Sequence, residues 1–137
     1  MNKSQFHAVL LDYLSNLVPL EETYWRTEFY IHSQPAMTSY GGHFVFQDGH
    51  EVPIDLRRKS KSANDSFATN IELFHRESTD LGMNKWNKAI FRIDRKGNVA
   101  QELLWDDAWE QREIEAYRMQ SVSPRPKWYW EEDDNAR

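Results

Sequence analysis

Two short glycine turns decide much of what this chain can become. Asp48-Gly49 and Arg95-Lys96-Gly97 each stand between runs in which apolar and polar residues alternate, and glycine takes the positive φ that a tight hairpin needs. Connections this short join only antiparallel neighbours, because a parallel crossover needs about a dozen residues or more. The alternating runs predict strands over 24–32, 43–48, 51–56, 86–94 and 98–105, with successive side chains on opposite faces of a half-buried sheet. In the first, Trp25, Thr27, Phe29 and Ile31 share one face and Arg26, Glu28, Tyr30 and His32 the other. Pro53 cannot donate to a ladder, so the 51–56 strand, with Val52, Ile54 and Leu56 inward, belongs at an edge or carries a bulge. Segment 34–42 is rich in turn residues, and 57–65 is polar, basic and aperiodic, so both are expected to be loops.

Helical spacing marks three other segments. Over 4–17 the apolar face is Phe6, Val9, Leu10, Tyr13, Leu14 and Leu17, with Ser4 as the expected N-cap. Over 66–82 it is Phe67, Ile71, Phe74 and Leu81, with Ser78 on the same face and Gly82 placed to end the helix. The third helix, 107–120, opens on Asp107 with Glu110 as its capping-box partner, and its apolar face is thin: Trp109, Ile114, Ala116 and Tyr117. Helix, three strands, helix, two strands, helix describes an α+β fold with helices layered on an antiparallel sheet. At 137 residues the chain has room for one domain, expected over 1–120, followed by a tail over 121–137 rich in proline, tryptophan and acids.

Cysteine is absent, which excludes disulfides, thiolate zinc sites and a cysteine nucleophile. Neither a signal sequence nor an apolar run near the roughly 20 residues of a membrane span is present, so a soluble, cytoplasmic protein without a membrane partner is expected. The net charge is −5, and its distribution is uneven. Residues 1–98 hold 12 acidic and 12 basic side chains, whereas 99–137 hold 10 acidic and 5 basic ones. That local surplus repels nucleic acid and steers basic partners toward one end of the molecule.

Sites for chemistry are thin by comparison. No phosphate-cradling glycine loop and no nucleophile elbow occurs, and no cofactor is expected. Of the five histidines, His32, His43 and His50 can meet across neighbouring strands. With Glu51 or Asp55 nearby they define an alternative reading, a small metal-dependent hydrolase, against the simpler one of polar positions on a solvated sheet face. The pattern that exceeds background is Trp105, Asp106, Asp107, Trp109, Glu110 and Glu113, followed by Trp128, Trp130, Glu131, Glu132, Asp133 and Asp134. Tryptophan gives large contact area at low entropy cost and dominates binding hot spots, so these twelve residues are the candidate surface for a protein partner. Filling the edge of the core is the competing role for Trp105 and Trp109.

The N-terminal helix ending in Leu17-Val18-Pro19, the aromatic strand from Tyr24, and the hairpin Lys85-Trp86-Asn87-Lys88-Ala89-Ile90-Phe91-Arg92-Ile93-Asp94-Arg95-Lys96-Gly97-Asn98-Val99 resemble the YezG-like immunity proteins, antidotes that bacteria encode beside polymorphic toxins. The resemblance covers about residues 5–118. Where that family continues with a tyrosine-aspartate strand, this chain has Glu102-Leu103-Leu104-Trp105-Asp106-Asp107. The resemblance implies a non-enzymatic, cytoplasmic protein that forms a tight complex with a cognate toxin, commonly a nuclease domain. A non-toxin adaptor would present the same surface.

Overall fold

The structure, a computed structural model, describes residues 1–35, 37–79, 85–120, 124–128 and 130–131. It is an α+β fold in which five antiparallel strands form one sheet in the order β3-β2-β1-β4-β5. These are β1 (Tyr24–Gln34), β2 (Met37–Phe46), β3 (Glu51–Pro53), β4 (Lys88–Asp94) and β5 (Val99–Leu104). Helices α1 (Lys3–Leu14) and α2 (Lys61–Thr79) cover one face, and α3 (Asp107–Gln120) follows β5. Gly49 and Gly97 take φ of 91° and 87° at the two hairpin turns, as their sequence contexts require.

The core lies between the sheet and the α1/α2 pair. Phe6, Leu10, Phe67, Ile71, Phe74, Phe29, Ile31 and Phe91 are all buried there. Phe6 stacks on Phe74 with ring centres 4.3 Å apart, and Tyr13 stacks on Phe67 at 3.9 Å. Rings of this size bury much of the apolar area from which stability derives.

Several boundaries move. Asn2, not Ser4, caps α1: its side chain accepts from the Gln5 backbone while Gln5 returns a bond to the Asn2 backbone. The 34–42 segment is not a loop, since Gln34 pairs with Met37 and Phe29 with Gly42, carrying the β1–β2 ladder to its tip. Gly42 sits there because a Cβ would come within 2.1 Å of the Glu28 carbonyl oxygen. A register shift between Tyr24 and Arg26 moves Trp25 off the inner face, leaving it 50% exposed while Tyr24 is buried instead; a β-bulge reverses the facing of residues on one side of it. Strand β3 is at the edge, as Pro53 requires, but it stops at Pro53 with Val52 exposed, and a 3-10 turn occupies Leu56–Arg58. Ser60 accepts from the Ala63 backbone, so α2 starts at Lys61 within the expected loop. The Leu81 and Gly82 positions lie outside the described residues.

Candidate functional site

Strand β5 runs into α3 through Trp105 and Asp106, and a buried asparagine fixes the corner. Asn87, fully buried, receives the Asp106 N–H at 2.5 Å and donates its amide to the Asp106 carbonyl at 2.9 Å. The Asp106 carboxylate then accepts from the Trp109 N–H at 3.0 Å. Asp106 is therefore the N-cap of α3 and Asp107 its first residue, exposed beside the positive end of the helix dipole. Trp109 stacks near His32, ring centres 4.6 Å apart, and its indole reaches the Ser33 carbonyl at 3.4 Å. It docks α3 onto the end of β1.

Helix α3 buries carboxylates rather than an apolar stripe. Its only buried residues are Glu110 and Glu113, each 7% exposed. The cause is Arg125 in the C-terminal segment: its guanidinium lies 2.5 Å from Glu110 and 3.0 Å from Glu113. Burial would discharge this guanidinium, but the hydrogen bond and charge of Glu113 and the charge of Glu110 outweigh it and raise its pKa. Glu110 thus does not close a capping box as the sequence suggested; its side chain is turned to Arg125 and, at 3.5 Å, to the Trp128 indole N–H.

Beside this lock is an aromatic cluster. Trp128 is 3% exposed and stacks on Trp130 at 4.7 Å. Trp105 packs 5.8 Å from Trp128 and 6.2 Å from Trp130, and His75 of α2 lies 5.6 Å from Trp128. His75 bonds the Trp86 carbonyl through Nε2 at 2.7 Å, and burial lowers its pKa, opposed by that hydrogen bond. The Glu131 carboxylate accepts from the Trp128 backbone, closing a local turn. Next to Pro126 and Trp128 a cleft of about 370 Å³ is lined also by Ser33, Thr69, His75 and Lys127.

Of the twelve candidate surface residues, Glu110, Glu113, Trp128 and Glu131 are engaged inside the chain, and Asp106 is a cap. Trp109 is half-buried against β1. Trp105, 37% exposed, Asp107 and the partly exposed Trp130 remain at the surface, whereas Glu102, exposed on β5, pairs with Arg92 at 3.8 Å. Glu132, Asp133 and Asp134 lie outside the described residues. The histidines do not converge: His32 meets Trp109, His50 meets Asp48 and stacks on Phe46, and His43 bonds Glu28 at 3.1 Å. Glu28 also accepts from Tyr30 at 2.8 Å and Arg26 at 3.0 Å. Desolvation raises its pKa, but those bonds and the charges of Arg26 and His43 leave it lowered overall. Among the described residues no group of three histidine or acidic side chains is placed to hold a metal ion. No described helix is long and apolar enough to cross a membrane. Arg125 and Asn87 carried no sequence signal of their own, since neither belongs to a periodic face or a motif.

No protein-family model matches the chain, and a search of curated proteins finds no similar sequence.

Proposed function

We propose that this protein acts by binding, as an immunity protein of bacterial type that neutralises a cognate toxin in the cytoplasm, with a basic nuclease domain as the partner class. Exposed Trp105 packs against partly exposed Trp130, with exposed Asp107 two residues further along, in the part of the chain that holds the whole acidic surplus, and this supports the reading. A nuclease needs positive surface to hold phosphate. An acidic, aromatic corner occupies such a surface, gaining association rate from steering and affinity from desolvated rings. In the resting chain the contact surface is Trp105, Asp107 and Trp130, with Glu132, Asp133 and Asp134 next in the chain, while Glu110 and Glu113 are engaged with Arg125.

The test is co-purification from the producing cell with the product of the adjacent gene, at low and at high salt. A complex that weakens as salt rises is expected. No complex at low salt would remove the reading.

A further inference from the structure

The paired carboxylates on α3 are not fully satisfied by the one cation they hold. Glu110 and Glu113 face a single guanidinium, and Oε2 of each is buried with no hydrogen-bond partner. Buried carboxylate oxygens are nearly always satisfied, so two unmet acceptors beside one bound cation mark a site with unused capacity. Arg125 fills it incompletely: its Nε donates to Glu113 at 3.0 Å, whereas Nη2 lies close to Glu110 without hydrogen-bond geometry. The segment that delivers Arg125 is lightly held. Pro124 and Pro126 flank it and have no N–H to give. Among the described residues, no backbone hydrogen bond ties 124–127 to the rest of the chain. Among the described residues, the side chains of Arg125 and Trp128 are the ones that bond the segment to α3.

We infer that the Glu110/Glu113 pocket is a guanidinium-binding site that Arg125 occupies in the resting chain, and that an arginine of a basic protein partner enters it by exchange with Arg125. Planar, bidentate recognition of guanidinium by paired carboxylates is stronger and more selective than contact with an ammonium. Exchange lifts residues 124–128, and Trp128 leaves its place against Glu110 and His75. Glu110 and Glu113, hidden while Arg125 is in place, then join the surface formed by Trp105 and Asp107. The pocket itself stands on the chain's own geometry; the exchange rests on the partner-binding reading above.

The pocket is tested without any partner. In the full chain carrying Arg125→Ala, methylguanidinium at about 20 mM should raise Tm by about 3 °C, which is the shift expected for a site filled well above its Kd in a domain of this size. Methylammonium or sodium chloride at equal concentration should leave Tm within error. So should methylguanidinium added to the wild type, or to Arg125→Ala that also carries Glu110→Gln and Glu113→Gln. If Arg125→Ala does not fold unaided, the recovery of folded protein on refolding becomes the readout, with the same controls and with Arg125→Gln as a milder second variant. Equal effects of methylguanidinium and methylammonium, or none from either, would overturn the site. Exchange is then read with acetyl-Pro-Arg-Pro-Lys amide: it should bind Arg125→Ala at least about tenfold more tightly than it binds the wild type, because the internal competitor is gone. Equal affinities would overturn the exchange and leave the toxin-binding reading to its own test.

Discussion

On the inner face of the sheet, Phe6, Phe67, Phe74 and Phe91 pack ring against ring with no charge among them. At the α3 end Glu110, Glu113 and Trp128 are buried beside Arg125, which pairs with both carboxylates. Apolar packing is non-directional and offers no charge for a competing ion to displace, so the first region fixes the fold. An ion pair buried in protein repays its desolvation only while its geometry is kept, so the second region can be rearranged by competing charge. The contrast separates a scaffold from a corner suited to recognition.

Damage to each region in turn should have different consequences. Phe6→Ala, at a ring that is 0% exposed, should cost about 4 kcal/mol in denaturant unfolding. Arg125→Ala should cost about 3 kcal/mol by leaving two buried carboxylates without a cation. Its signature should differ as well: near-ultraviolet signals of the tryptophan cluster should change while far-ultraviolet helix and strand signals persist. Loss of the whole fold in Arg125→Ala, with Phe6→Ala tolerated, would invert the assignment of scaffold and recognition corner.

A smaller effect links the two regions through His75, which touches Trp86 on one side and Trp128 on the other. Its pKa is lowered in the folded state, first by burial, so the unfolded chain binds the proton more readily. The contribution is complete above the unfolded value of about 6.5 and is lost as pH falls through the lower folded one. Stability measured by denaturant titration should therefore decline below about pH 6.5, and His75→Gln should flatten that decline. An unchanged slope in the variant would place the acid sensitivity elsewhere. The smallest stability effect belongs to Trp105→Ala, at the exposed rim of the cluster: about 0.5 kcal/mol or less is expected, against a large loss of partner binding.

Where a local pattern decided the outcome, the sequence was enough. The period-two runs and the turns at Gly49 and Gly97 specified the antiparallel sheet, and Asp107–Gln120 has the same bounds in the structure as in the sequence. Three features depended on tertiary contacts instead. Trp25 alternates perfectly with Thr27, yet a bulge turns it outward. Lys61-Ser62-Ala63-Asn64-Asp65 lacks an apolar face, yet the Ser60 cap starts α2 there, and Tyr13 bonds Asn64 from across the core. Glu110 and Glu113 read as surface acids on a polar helix, and only Arg125, twelve residues or more along the chain, turns them inward. The charge and aromatic content of this end of the chain was thus legible, while its division into exposed and internally engaged residues was not.

Binding of a basic partner at the corner of Trp105 and Asp107 is tested by calorimetric titration of the adjacent-gene product into wild type, Trp105→Ala and Asp107→Lys at two salt concentrations. Expected are a wild-type complex that weakens with salt, and loss of at least about tenfold in affinity in each variant. Binding by both variants with wild-type affinity and salt dependence would contradict it.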